Sequence, residues 1–243
     1  MREWAGKRYW LVGASEGLGA ALAHKMSAAG VHLVLSARSE DKLNELAAQL
    51  PGKSDVVPVD VSDADSVKAA SEAVGEIDGV VQLAGVYWPF GAKAWDADQA
   101  TMMADINFTG AMRLMGAVVP KFVERDAGHI VLTGSLSGFR GLPGAAAYTS
   151  SKAGVMTLAE SLYADLHKTN VRVQLINPGF VKTRLTDKND FNMPFIMEPE
   201  DAAREFFEHM NSDAFKRSFP TLFSWVFRGS QFLPDWLYYR LFA

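Results

Sequence analysis

The chain of 243 residues has no cysteine. That absence excludes disulfides, zinc–thiolate sites, iron–sulfur clusters and thiol catalysis. Histidine is scarce: five residues (His24, His32, His129, His167 and His209) fall in no H-x3-H or similar pairing, so no local metal site is expected. Excess positive charge is lacking as well. With 24 Lys and Arg against 28 Asp and Glu, the net charge is -4, which argues against a nucleic-acid partner. No uninterrupted apolar run reaches the ~18 residues of a membrane span. No secretory leader pattern opens the sequence, so the expected compartment is the cytoplasm. What is present is globular composition, 49% apolar and 21% charged, enough for a sizeable core.

Short apolar runs alternate with longer helical stretches. The pattern predicts strands at Tyr9–Val12, Val31–Ala37, Val56–Val59, Val80–Leu83, Ile130–Thr133 and Val171–Ile176. Helices are predicted between them, including a long region from Asp98 to Val123 with a break or kink at Pro120. Nearly unbroken apolar strands suit a sheet buried on both faces, and the alternation predicts an α/β, doubly wound parallel sheet. No repeat or low-complexity linker interrupts it, so one domain is expected over residues 1–243. Thr183–Pro199 reads as a long loop, of the kind that is usually functional or mobile.

The first strand ends in Gly13-Ala14-Ser15-Glu16-Gly17-Leu18-Gly19, followed at once by a helix. Glycines at such a turn let backbone approach a pyrophosphate, and the helix start offers free N–H groups and a positive dipole end. The spacing is G-x3-G-x-G rather than G-x-G-x-x-G. The stretch also fits G-x-S-x-G, with Ser15 as a hydrolase nucleophile, but only twelve residues precede Gly13 and supply no oxyanion-hole loop. Tyr148 and Lys152 are four apart and share a helix face. An ammonium beside a phenol favours the phenolate. Ser135 lies thirteen residues before Tyr148 at a predicted strand end, where ligands of open α/β sheets bind. Asn107 stands in an apolar helical stretch, where a buried amide needs partners.

In these motifs, in this order, the sequence resembles the short-chain dehydrogenases/reductases. The match includes Asp60-Val61, Ala84-Gly85 and Pro178-Gly179-Phe180-Val181-Lys182-Thr183, and covers about Lys7 to Thr183. The resemblance implies a Rossmann fold and a nicotinamide cofactor that carries the hydride. It implies that Tyr148 gives or takes the proton at the substrate oxygen, and that Lys152 lowers the pKa of Tyr148 and hydrogen-bonds the nicotinamide ribose. Ser135 would steady the substrate oxygen, and Asn107 would help hold a relay water behind Lys152. Gly13, Ser15, Gly17, Leu18 and Gly19 would cradle the cofactor. Asp60 and Val61 would frame its adenine, Ala84 and Gly85 would flank it, and Pro178, Gly179, Val181 and Thr183 would line its nicotinamide side. The implied substrate is a small carbonyl or alcohol, and the implied assembly a homodimer or homotetramer. A non-catalytic nucleotide-binding sensor on the same fold is the alternative; the intact Asn–Ser–Tyr–Lys set argues against it.

Two features depart from the family. Gln82-Leu83-Ala84-Gly85 replaces Asn-Asn-Ala-Gly, and neither a seventh-strand motif nor an Asp-Gly-Gly tail is legible. After the second strand, Ser36-Ala37-Arg38-Ser39 lacks the acid that would accept hydrogen bonds from the adenosine ribose and select NAD. Arg38 offers a fork to a 2′-phosphate, and Ser36 or Ser39 a hydroxyl, so NADP(H) is expected over NAD(H). Glu16 argues mildly the other way. Beyond residue 183, the loop and a helical aromatic extension (about 184–243) are expected to surround the substrate. Thr221–Ala243 carries eight aromatics in 23 residues. It is expected to pack over the substrate cleft or against a second subunit, with an interfacial helix on a membrane as the alternative.

Overall fold

A computed structural model describes residues 3–242; Met1, Arg2 and Ala243, the ends of the expected domain, lie outside the described residues. The chain runs β1 (Arg8–Val12), α1 (Gly17–Ala28), β2 (His32–Ser36), α2 (Glu40–Gln49), β3 (Ser54–Val56), α3 (Ala64–Val74) and β4 (Gly79–Gln82). It continues through α4 (Ala97–Ala104), α5 (Gly110–Glu124), β5 (Gly128–Thr133), α6 (Ala146–Leu166) and β6 (Val171–Pro178). The last part is α7 (Pro199–Met210), β7 (Lys216–Phe219), α8 (Thr221–Ser230) and α9 (Asp235–Phe242). The strands form one parallel sheet in the order β3-β2-β1-β4-β5-β6-β7.

Strand side chains alternate between two cores, as a period of two requires. Trp10 and Val12 of β1 join α3, α5 and α6 on one face, whereas Tyr9 and Leu11 join α1, α2 and α7 on the other. The strand order reverses between β1 and β4, so the loops after these strands part and leave a crevice, where open α/β sheets bind ligands. Among the described residues no helix is long and apolar enough to cross a membrane.

Four details correct the sequence reading. A seventh strand exists. Lys216-Arg217-Ser218-Phe219 pairs with β6 at the sheet edge, and only Phe219 of the four is buried. A charged edge strand has no apolar run to reveal it, and its charges discourage pairing with other chains. β3 lies earlier than Val56–Val59, at Ser54–Val56, although the Val57 and Val59 N–H groups still bond the Leu35 and Ala37 carbonyls on either side of Pro58. The long helical region is two helices joined by a π-helical turn at Asp105–Thr109. Pro120 does not end α5: it and Gly116, whose carbonyl its missing N–H would have met, are both exposed, so water satisfies the freed group. The segment Thr183–Pro199 is mostly irregular, tied down by a Val181–Met197 bridge and one short turn at Thr186–Lys188.

Candidate active site

The glycine turn after β1 is shaped by close approach. Gly13 has φ +97°, and a Cβ there would stand 2.5 Å from the Ala84 nitrogen. A Cβ on Gly19 would stand 2.0 Å from the Gly13 carbonyl oxygen. These contacts hold the start of α1 against the β1 end, which is pinned by Gly13 and Ala14 N–H bonds to the Ser36 carbonyl. Glu16 at the N-cap makes no side-chain capping bond, so the first N–H groups of α1 remain available to an anion.

A cleft of about 600 Å³ opens over this turn. It gathers Gly13, Ser15, Gly17, Leu18, Gly19, Arg38, Asp60, Val61, Ala84, Gly85, Ser135, Tyr148, Lys152, Pro178, Gly179, Val181 and Thr183. No histidine lines it, and Ser15 makes no side-chain hydrogen bond to a basic group among the described residues, so nothing in the site supports the hydrolase reading.

Arg38 reaches the cleft exposed, with no hydrogen bond or ion pair of its own among the described residues. Its charge bears on Asp60. Burial raises the Asp60 carboxyl, but two hydrogen bonds from Ser62, with Arg38 and Arg113 nearby, leave it below the usual range. Ser36 cannot help Arg38. It is fully buried, its hydroxyl donating to the Val57 carbonyl and accepting from Trp10 Nε1. Glu16 is answered by two cations that sequence reasoning missed: Lys42 Nζ at 3.1 Å and Arg184 Nη2 at 2.5 Å. Lys42 is one helical turn after Arg38, a spacing that could have flagged it; Arg184 lies in the irregular segment and carries no such signal.

Asn107 sits in the π-helical turn, fully buried behind the cleft. Its Oδ1 accepts from Val86 N–H at 2.7 Å, and its Nδ2 donates to the Val86 carbonyl and to Ser151 Oγ. It thereby ties the loop after β4 to α6, which carries Tyr148 and Lys152. Gln82 contributes what Leu83 cannot: its Nε2 donates to the Ala84 carbonyl at 2.8 Å, and Leu83 itself packs into the core on the α1 face.

Ser135 is extended at the end of β5 and shares its hydroxyl with Ser137 Oγ at 2.8 Å. Lys152 is buried and donates to the Thr133 carbonyl at 3.0 Å; burial lowers its pKa to about 8. Its Nζ lies 5.9 Å from the Tyr148 ring centre. Burial pushes the Tyr148 hydroxyl up to about 12, opposed by a hydrogen bond with Ser135 and reinforced by Tyr87. Burial thus dominates at this phenol, and Lys152 does not figure among the influences on it.

A second cavity, of about 480 Å³, adjoins the first. Tyr87, Phe90, Phe180, Phe191, Phe223 and Phe227 supply its aromatic walls, and Lys188 and Asp190 its charges. Sequence reasoning named none of these as wall residues individually. Lys188, Asp190, Phe191, Phe223 and Phe227 do fall within 184–243, the stretch expected to surround the substrate, whereas Tyr87 and Phe90 do not. The two cavities share Ser135, Tyr148, Gly179, Leu185 and Thr186.

A dinucleotide-shaped cleft, a Tyr–Lys pair at its inner end and an apolar pocket beyond define an oxidoreductase of the nicotinamide class. The short-chain dehydrogenase family model matches residues 7–193, and the chain belongs to that family. A protein from Myxococcus xanthus, described as an uncharacterized oxidoreductase, is 39% identical over 98% of this chain and 97% of its own length. Among solved structures, a short-chain dehydrogenase/reductase from Burkholderia phymatum in complex with NAD is 25% identical, with a TM-score of 0.86 over 94% of each chain. A short-chain dehydrogenase from Sphingobium yanoikuyae in complex with NADPH is also 25% identical, with a TM-score of 0.83 over 92% of this chain and 91% of that one.

The glycine cradle and the uncapped start of α1 fit a dinucleotide. Gly19→Ala is expected to weaken dinucleotide binding about tenfold or more, because the methyl would meet the Gly13 carbonyl. Titration of protein fluorescence with the dinucleotide reads this out.

Proposed function

We propose that this protein uses NADP(H), in preference to NAD(H), to interconvert an apolar carbonyl compound and its secondary alcohol in the cytoplasm. The observation that carries the reading is the shared border of the two cavities. Ser135 and Tyr148 line both the cofactor cleft and the aromatic pocket. In this reading residues 7–183 form the cofactor-binding and catalytic part of a single domain, and residues 184–243 shape the substrate side. Exposed Met102 on α4, with Met112 and Val123 on α5, supports assembly as a homodimer or homotetramer.

The nicotinamide, when bound, supplies or accepts the hydride. Tyr148 gives its proton to the carbonyl oxygen in reduction and takes it from the carbinol in oxidation. Ser135 donates a hydrogen bond to the same oxygen as charge develops there. Lys152 supports the phenolate and holds the nicotinamide ribose. Asn107 helps hold a water behind Lys152, through which the proton is replaced. Gly13, Ser15, Gly17, Leu18 and Gly19 bind the pyrophosphate side, and Asp60 and Val61 the adenine. Ala84 and Gly85 flank the cofactor, while Pro178, Gly179, Val181 and Thr183 line its nicotinamide end. The aromatic walls exclude water and select an apolar substrate.

The unpaired guanidinium of Arg38, with no acid at Ala37, supports the NADP(H) preference. Arg38→Ala is expected to weaken NADPH by ~1.5–3 kcal/mol, the worth of a charged hydrogen bond, and to leave NADH almost unchanged. Equal losses for both would show that Arg38 does not read the 2′-phosphate. Screening NADPH oxidation against apolar ketones and aldehydes tests the reaction as a whole.

A further inference from the structure

The outer face of the C-terminal helices is apolar where it meets water. On α8, the inward positions Phe223, Ser224, Phe227 and Ser230 follow a helical stripe. The outward stripe is Leu222, Trp225 and Val226, with Leu222 76% and Trp225 64% exposed. A helix apolar on all sides ordinarily lies inside a protein or a membrane. On α9, Trp236, Tyr239 and Leu241 face out in the same way, and Phe232 between the helices is 88% exposed.

This face is rigidly presented. Arg140 donates to the Ser230 and Leu233 carbonyls, pairs with Asp235 at 2.5 Å and lies 3.9 Å from the centre of the Tyr238 ring. Tyr238 is buried, and its hydroxyl donates to the Gly141 carbonyl at 2.6 Å. The anchor fixes which side of α9 points outward.

The charges on the face share one sign. Arg228 and Arg240 make no ion pair among the described residues, and the segment's one acid, Asp235, is already paired with Arg140. Two copies meeting through this face would bring arginines together with no free acid to answer them. An anionic bilayer answers them directly, with Trp and Tyr at the headgroup level.

We propose that α8 and α9 dock this protein on the surface of an anionic lipid bilayer. The patch is continuous with the aromatic pocket. Phe223 lines that pocket, and its ring lies 5.4 Å from that of exposed Phe195. Docking would thus set the pocket rim against the acyl region, open to a lipid-dissolved substrate. That consequence rests on the apolar-substrate reading; the docking does not.

The test is co-sedimentation of the purified full chain, without detergent, with phosphatidylcholine vesicles and with vesicles of phosphatidylcholine and phosphatidylglycerol at three to one. The protein should pellet with the anionic vesicles. The triple variant Leu222→Ser, Trp225→Ser, Trp236→Ser should lose about tenfold or more of that binding. The double variant Arg228→Glu, Arg240→Glu should lose about 25-fold or more on anionic vesicles only, from roughly fivefold for each arginine removed. Both variants should keep wild-type thermal unfolding and NADPH binding. A wild-type chain that stays in the supernatant with both vesicles overturns the proposal, as does a triple variant that pellets undiminished. A triple variant that changes only its assembly size in sedimentation velocity would show instead that a second copy covers the face, and would equally overturn it.

Discussion

Tyr148→Phe is expected to lower turnover about 10²-fold or more while NADPH binds as before. The substitution keeps the ring, its edge contact with Tyr87 at 4.9 Å and the packing of α6, and removes only the hydroxyl. Binding should survive because the substitution leaves the glycine turn and Arg38 unchanged. Burial holds the hydroxyl up at about 12, with Ser135 pulling the other way. Near neutral pH it therefore carries its proton, which suits it to act as the acid in carbonyl reduction. Parallel measurement of NADPH affinity and steady-state turnover on an apolar ketone separates the two effects. Near-normal turnover in the variant would remove Tyr148 from the chemistry.

Lys152→Met is expected to do two opposite things. Turnover should fall by ~10² or more, through the loss of the charge that supports the phenolate. Stability should rise by about 1–3 kcal/mol, because a buried ammonium held by one carbonyl costs more than an apolar chain of similar length. The pH dependence gives the sign independently. Lys152 has its pKa lowered from the ordinary 10.5 to about 8 by burial. Below about 8 both folded and unfolded chains hold the proton, and the full cost of burying it stands. Between about 8 and 10.5 the folded chain has released it and the unfolded chain has not, so this group makes stability rise with pH. Tyr148 acts oppositely above its ordinary value of 10, since burial raises it. Chemical denaturation from pH 8 to pH 10 stays below the ordinary tyrosine value, and because burial lowers Lys188 as well, the difference between the two chains isolates Lys152. Wild type should gain more stability over that interval than Lys152→Met. A variant less stable than wild type at pH 7 would show that the ammonium is held favourably after all.

The parallel sheet was legible because buried strands such as β4 and β5 carry short apolar runs, Val80-Val81 and Ile130-Val131-Leu132, whose shortness separates them from the helices. β7 was not, since an edge strand of Lys, Arg, Ser and Phe makes its case only through pairing with β6. The π-helical turn at Asn107 was equally silent: its residues fit a helix, and the bonds from Asn107 to Val86 and Ser151 are tertiary contacts with no local signal. The cofactor side of the site lies in short motifs at strand ends, so the sequence order carried it. Ser36 misled because a serine at a strand end looks available; its burial under Trp10 is a tertiary fact. The substrate walls were illegible for a related reason. Tyr87, Phe180 and Phe227 come from three distant segments that only the fold brings together. The C-terminal aromatics were half legible. Phe223 and Phe227 do turn toward the pocket, yet Trp225, Phe232 and Trp236 remain in water.

Hydride transfer itself is the most direct measurement. NADPH carrying deuterium at the reactive nicotinamide carbon should be incubated with the purified protein and an apolar ketone, and the alcohol examined by mass spectrometry. One deuterium should appear on the carbinol carbon, and Tyr148→Phe should form roughly a hundredth of that product or less over the same interval. An alcohol formed without the label, or no oxidation of NADPH by any apolar carbonyl despite tight binding of the dinucleotide, would contradict the account.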